Sequence, residues 1–364
     1  MAGKRIEDID SNFKQAGITV DAAGIAWRSA TENVFTVRGL AWYEENGRSF
    51  VRLPHRAEKI IRPDVWGLAN GPASARVCFK TDSTRLALRV ENGWAFNMPH
   101  FAVTGSDGVF VYEGAPFCQK PWNMAAPAIG QTKGEKEIVK DMPRRMREFT
   151  IYLPLYSHCK KLEIGLDPEA VIEAPSPCRL DKPVVVYGTS ITQGGCASTA
   201  GGDFVSAVGR KLNLDVVNLG FSGNGRGEPE LAELISEIDA AAYVLDYCAN
   251  TDVNGLDTTL PVFIDILRKK RPATPIVCVS KIHYYGEEFV PGNRDTAEAQ
   301  RDVMIRHYSA RRAGGDRNIH FVDGWSLVGA NEDMALVDGV HPTSQGFAIM
   351  AERLALPLRH ILEL

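Results

Sequence analysis

Three residues in the second half of the chain are of the types that together activate a hydroxyl. Val184-Val185-Val186-Tyr187-Gly188-Thr189-Ser190 is an apolar run leading straight into Gly-Thr-Ser, and Asp338-Gly339-Val340-His341-Pro342 lies about one domain's length further on. A serine hydroxyl is a poor nucleophile until an adjacent imidazole takes its proton, and a carboxylate on the far ring nitrogen fixes the tautomer this requires. Asp338 stands three residues before His341, a spacing at which a turn lets the carboxylate reach the ring. The chemistry implied is acyl transfer through a serine nucleophile.

Two further segments fit that chemistry. Val217-Asn218-Leu219-Gly220-Phe221-Ser222-Gly223-Asn224-Gly225 follows another apolar run, and its closely spaced glycines let a backbone N–H approach a ligand with no side chain in the way. Asp246-Tyr247-Cys248-Ala249-Asn250-Thr251-Asp252 places a side-chain amide after a third run, where it can donate to a developing oxyanion. Each segment alone has an ordinary structural explanation. Ser190 can be a helix N-cap, the glycines a tight turn, Asn250 part of an Asx turn, and Asp338-Gly339 a turn beside a surface histidine. The glycine segment matches neither G-x-G-x-x-G nor G-x-x-x-x-G-K-[ST], which argues against a nucleotide loop. The joint occurrence of the four segments, in order within one domain, favours the catalytic reading.

The elements that must position these residues are legible as periodicity. After residue 182, buried runs at Val184–Tyr187, Asp215–Leu219, Ala242–Tyr247, Ile276–Ser280 and Ile319–Val322 alternate with helical stripes. Leu231, Leu234, Ile235 and Ile238 share one helix face, Leu260, Ile264 and Leu267 another, and Phe347, Met350, Leu354 and Leu358 a third that begins near Ser344. Such alternation predicts a parallel sheet with helices on both faces and a site beyond the carboxyl ends of the strands.

Residues 1 to about 180 read differently, with no helical stripe after the first twenty. Short runs alternate near period two at Val34–Gly39, Ser49–Pro54, Ala75–Lys80, Arg85–Val90, Gly108–Tyr112 and Phe149–Leu153, separated by turn signals such as Gly105-Ser106-Asp107-Gly108. This predicts a β-sandwich or jelly roll. Trp27, Trp42, Trp66, Trp94 and Trp122 fall in this half. They are either core and edge packing or the lining of a carbohydrate-binding face. Ala174-Pro175-Ser176-Pro177 reads as a stiff linker.

With these residues in place, the chain resembles the SGNH hydrolase superfamily, also called the GDSL esterases and lipases, over about residues 182 to 360. The first block reads Gly188-Thr189-Ser190-Ile191-Thr192 in place of Gly-Asp-Ser-Leu. The second is Asn218 to Gly225, the third Cys248-Ala249-Asn250-Thr251 in place of Gly-x-Asn-Asp, and the last Asp338 and His341. Asn218–Glu230, together with Met98–Gly105 and Gly108–Tyr112, is similar to a bacterial branch with an N-terminal β-sandwich, a plan that also resembles some carbohydrate acetylesterases and natural-product acyltransferases.

The resemblance implies a flavodoxin-like, three-layer α/β hydrolase domain at 179–364 after an all-β sandwich or jelly-roll domain at 1–178. It assigns Ser190, His341 and Asp338 as the triad. The Ser190 N–H, the Gly223 N–H and the Asn250 side chain form the oxyanion hole, and no metal or other cofactor takes part. The substrate it implies is a short-acyl ester, O-acetyl on a carbohydrate included. The same triad in an acyltransferase and a noncatalytic carbohydrate-binding protein are the alternatives. Arg226, Lys281, His283 and Tyr284 follow strands, and are either pocket residues or surface and supporting ones.

Composition bounds the partners. The 364 residues suit two domains, and 45% hydrophobic with 24% charged residues is ordinary globular composition. A net charge of -4 without a long basic run disfavours nucleic acid. The basic tetrad Arg268-Lys269-Lys270-Arg271 suits a helix end instead. No run approaches the roughly 20 apolar residues of a membrane span. Met1–Asp8 turns acidic at once, which is not a signal-peptide pattern. Seven scattered cysteines without a C-x-x-C pair read as reduced thiols and favour the cytoplasm.

Overall fold

The structure, a computed structural model, describes residues 19–364; Met1–Asp8, read above as lacking a signal peptide, lies outside them. The first half is built from β1 (Thr19–Val20), β2 (Ala26–Ser29), β3 (Thr36–Arg38), β4 (Arg76–Thr81), β5 (Leu86–Asn92), β6 (Val109–Glu113), β7 (Lys120–Ala125), β8 (Lys133–Val139), β9 (Arg147–Tyr152), β10 (Cys159–Leu166) and β11 (Ile172–Glu173). They pair into two antiparallel sheets, β1-β2-β10-β5-β8 and β11-β4-β9-β6-β7, with β3 added beside β4. Alternate residues point inward. Val77 and Phe79 of β4, Leu88 and Val90 of β5, Ile151 of β9 and Ile164 of β10 meet in one core. This is the expected sandwich.

Two expectations for this half fail. Ser49–Pro54 forms no strand; it is a buried loop in which Phe50, Val51 and Leu53 all face inward beside Arg52. A helix, Pro63–Ala69, appears where no stripe was visible, with Pro63 in its first turn and only Val65 and Ala69 buried. Seven residues are too few to show a stripe, though Pro at the first helical position is itself a start signal.

The second half holds β12 (Val184–Gly188), β13 (Val216–Gly220), β14 (Ala242–Asp246), β15 (Ile276–Val279) and β16 (Ile319–Val322) in the order β13-β12-β14-β15-β16. All pairs are parallel. The first four strands are buried at every residue, as a sheet covered on both faces requires. Val185 and Tyr187 pack with the helices Pro229–Glu237, Val253–Lys270 and Asn293–Ala313, while Val184 and Val186 pack with Phe204–Leu212 and Ser344–Ile361. The three predicted stripes are the inward faces of their helices, and the basic tetrad closes Val253–Lys270.

The two halves share a core. Trp42, Leu53, Ile61, Val65 and Ala69 pack with the Pro229–Glu237 side of the parallel sheet. Arg52, 1% exposed, donates to the carbonyls of Leu68 and Gly71 at 2.7 and 2.6 Å and of Asn218 and Gly220 at 3.1 and 2.6 Å. A buried guanidinium is tolerated only when its donors are satisfied, so this residue ties the sandwich side to the end of β13. The Pro-rich stretch carries no regular element, and Ser176 is held by the Glu148 carboxylate through its N–H and hydroxyl.

Candidate active site

β12 ends at Gly188, and the next residues turn into the helical segment Ser190–Gln193. Thr189 caps it by accepting the Ile191 N–H at 3.2 Å, so the N-cap role considered for Ser190 belongs to its neighbour. Ser190 is thereby left at the carboxyl edge of the central part of the sheet, 9% exposed. Asn218 of β13 fixes the turn from below, its amide donating to the Thr192 carbonyl at 2.6 Å.

Asp338–His341 is one tight turn ahead of the last helix, Ser344–Ile361. Ser190 Oγ lies 2.9 Å from His341 Nε2, and His341 Nδ1 lies 2.8 Å from Asp338 Oδ2. The second Asp338 oxygen accepts the backbone N–H groups of Val340 and His341 at 3.0 and 2.7 Å. Burial alone would raise this carboxyl, but the hydrogen bonds from the His341 N–H, the His341 ring and the Val340 N–H outweigh it and hold the group at about 2. An ionised Asp338 keeps the ring proton on Nδ1, which leaves Nε2 with a lone pair facing the Ser190 hydroxyl.

The three oxyanion candidates follow three adjacent strands. Gly188 is in register with Gly220 of β13 on one side and Asp246 of β14 on the other. Ser190, Gly223 and Asn250 therefore lie beyond neighbouring strand ends, with Ser190 in the middle. Gly223 has φ +67, a left-handed conformation that suits glycine. Neither its N–H nor that of Ser190 meets a protein acceptor among the described residues. Gln193 accepts the Ser222 N–H at 3.0 Å and so steadies the turn. Asn250 closes the short turn Cys248–Asn250, and its Oδ1 is buried without a partner among the described residues. Gln300 braces that turn from the Asn293–Ala313 helix by donating to the carbonyls of Cys248 and Thr251 at 3.3 and 2.5 Å.

A cavity of about 580 Å³ opens beside His341. Its walls are mostly apolar, from Leu68, Trp94, Phe96, Met98, Phe101 and Tyr156. Phe96, Phe101 and Tyr156 form a mutual aromatic cluster with centroids 4.9–5.7 Å apart. Arg226, Lys281, His283 and Tyr284 do not line this cavity. Arg226 is exposed and donates to the Gly223 carbonyl at 3.1 Å. Lys281 pairs at 2.5 Å with buried Glu287 and sits over the Tyr284 ring, and buried His283 reaches Glu288 at 3.0 Å. Burial raises the Tyr284 phenol, with the Asp246 carboxyl adding to the effect. Those three residues brace the loop after β15. The tryptophans divide: Trp94 is on the cavity, Trp27 and Trp42 are buried, Trp66 packs on the shared core, and Trp122 stacks on Phe149.

His100 and Cys196 are site residues that the sequence reading did not single out. His100 Nε2 lies 3.4 Å from Asp338 Oδ2, the oxygen that also meets His341. It falls within Met98–Gly105, the stretch that carried part of the resemblance; a histidine there was the available signal. Cys196 is buried on the cavity wall, and burial, with Asp338 nearby, pushes its thiol up to about 12. Beneath the site, burial raises Asp246 to about 7 against the opposing hydrogen bond from Thr192 Oγ1 at 2.8 Å.

Residues 181–359 match the GDSL-like lipase/acylhydrolase family, and residues 25–172 match the N-terminus of SGNH-hydrolase-type esterases. No curated protein matches the chain. Among solved structures, the chain is similar to a Bacteroides ovatus protein named for its likeness to GDSL lipases, at 27% identity and TM-score 0.85 over 93% of this chain and 98% of that one. The salicylyl-acyltransferase SsfX3 of a tetracycline pathway shares the fold at 22% identity and TM-score 0.75, over the same 93% and 98%. A family two carbohydrate esterase from Clostridium thermocellum, solved with cellohexaose, shares it at 13% identity and TM-score 0.60, over 80% of this chain and 93% of that one.

Proposed function

Since the chain belongs to the GDSL-like lipase/acylhydrolase family, we propose that it is a serine esterase that removes a short acyl group from an alcohol, with Ser190 as nucleophile, His341 as base and Asp338 as its orienting carboxylate. The observation that carries this reading is the continuous contact from Ser190 Oγ through His341 to Asp338, at 2.9 and 2.8 Å. These are hydrogen-bond distances at which a proton can pass from hydroxyl to imidazole.

Ser190 Oγ attacks the ester carbonyl as His341 Nε2 takes its proton. The charge that develops on the carbonyl oxygen is met by the Ser190 N–H, the Gly223 N–H and the Asn250 amide. His341 then returns the proton to the departing alkoxide, and the alcohol leaves. A water activated by the same imidazole cleaves the acyl-enzyme and restores Ser190. The alcohol proposed is a carbohydrate hydroxyl bearing O-acetyl. Trp94, 38% exposed on the cavity, offers a flat face for a sugar ring.

The test is hydrolysis of p-nitrophenyl acetate, butyrate and octanoate by wild type and Ser190→Ala, followed by acetylated sugars. Activity that falls with chain length and drops by about 10³-fold or more in Ser190→Ala is expected. Full activity in Ser190→Ala would refute the mechanism. Acyl transfer to added alcohols without release of free acid would make the protein an acyltransferase that uses the same residues.

A further inference from the structure

Three groups on the cavity wall could together ligate a cation, a capacity that ester hydrolysis does not use. His100, Cys196 and His341 each present one ligand atom, and these atoms lie within 4.8 Å of one another. All three residues line the cavity beside Ser190. They come from three distant parts of the chain: the loop before the short helical turn Val103–Ser106, the loop after Ser190–Gln193, and the turn before Ser344–Ile361.

The arrangement is firmly held. A side chain at Gly105 would place its Cβ 2.0 Å from the Ala197 carbonyl oxygen, so the loop carrying Cys196 lies directly on the sandwich backbone. Cys196 itself has φ +74, a left-handed conformation that non-glycine residues adopt rarely and mostly where surroundings enforce it. Asp338 Oδ2 meets His341 Nδ1 at 2.8 Å and His100 Nε2 at 3.4 Å. A carboxylate behind an imidazole is the arrangement that orients histidines toward a metal.

We propose that His100, Cys196 and Nε2 of His341 form an inhibitory site for a zinc-type divalent cation, with a fourth position open to water. Two imidazoles and a thiolate are the donor set that borderline-soft cations select over magnesium or calcium. With Zn–N of about 2.0–2.1 Å and Zn–S of about 2.3 Å, tetrahedral ligands stand roughly 3.3–3.6 Å apart, so closure requires side-chain rotations of about an ångström. On coordination the Cys196 thiol proton goes to solvent. The His341 Nε2 lone pair moves from the Ser190 hydroxyl to the metal, and Ser190 loses its base. The inhibitory half of this inference rests on the esterase reading; the binding half does not.

The test uses chelator-treated full-length protein. Zinc chloride should inhibit p-nitrophenyl acetate hydrolysis reversibly, with EDTA restoring it. Cobalt(II) should produce one equivalent of thiolate-to-cobalt charge-transfer absorption whether or not any ester is turned over. Cys196→Ser should abolish that absorption. Cys196→Ser and His100→Ala should each raise the half-inhibitory zinc concentration at least tenfold, relative to that variant's own metal-free activity. The proposal is overturned if folded wild type gives no charge-transfer band, if the band survives in Cys196→Ser, or if both variants keep the wild-type zinc sensitivity. A cobalt band in protein that hydrolyses no ester would uphold the metal site and sink the esterase reading; turnover without the band would do the reverse.

Discussion

Asp338 and Asp246 are both carboxyls close to the proposed catalytic residues, yet their surroundings drive them apart. Asp338 receives three hydrogen bonds and sits at about 2. It stays ionised throughout the range in which an esterase is assayed, so it contributes no inflection there. The acid limb of kcat/KM should therefore show unit slope, from loss of one proton by the base; a slope of two in a pH–rate profile would contradict this. Asp246 is raised to about 7 from an unfolded value of 3.8. Between those values the folded state holds a proton that the unfolded state has released, so stability falls as pH rises through this window and the full penalty persists above it. Asp246→Asn keeps an oxygen to accept from Thr192 and removes the penalty. Its Tm should exceed that of wild type at pH 8, with the gap closing towards pH 4; equal melting temperatures at both pH values would argue against a buried, reluctant carboxylate. Asn250 would act through its Nδ2–H, the donor proposed above for the oxyanion. Asn250→Ala should lower kcat by about 10²–10³-fold with little change in KM, and an unchanged kcat in steady-state assays would remove it from the oxyanion hole.

At the scale of elements, legibility followed how local the signal was. The segment Val184–Ser190 and the turn Asp338–His341 each carry their geometry within a few residues, so the strand, the turn and the Asp338–His341 contact are legible from their order. The strands β12 to β15 are legible because burial on both faces leaves mostly apolar runs. Asn293–Ala313 was not, because a long helix that buries only Ala297, Gln300, Val303 and Met304 leaves a faint stripe. Ser49–Pro54 misled in the opposite sense. Arg52 counts as polar in an alternating pattern, but it is buried, and two of the four carbonyls that satisfy it lie more than a hundred residues away at Asn218 and Gly220. His100, Cys196, Trp94 and Leu68 converge on the cavity from separate loops and a short helix, and only packing brings them together.

The whole molecule is more than two modules in series. Trp42, Leu53, Ala57, Ile61, Val65 and Ala69 belong to the core of the parallel sheet while Phe50 between them belongs to that of the sandwich, and Arg52 bonds carbonyls on both sides of the junction. Replacing Arg52 by Met leaves those carbonyls without donors in a buried site, at a cost of about 3 kcal/mol or more, since hydrogen bonds to charged groups contribute about 1.5–3 kcal/mol each. Wild type should unfold in one calorimetric transition, and Arg52→Met should lower its Tm or split it; two well-separated transitions in wild type would show that the shared core does not couple the halves. The same junction brings the sandwich loops carrying Trp94 and His100 to the cavity, so the site is a product of both halves.

The proposed chemistry depends on Ser190 being a nucleophile activated by His341 and Asp338. Its most direct test is covalent trapping with a fluorophosphonate, read by intact mass and peptide mapping. A single adduct on Ser190 is expected, absent in Ser190→Ala and formed much more slowly in His341→Ala. An adduct on another residue, or undiminished labelling of Ser190 when His341 is removed, would contradict it.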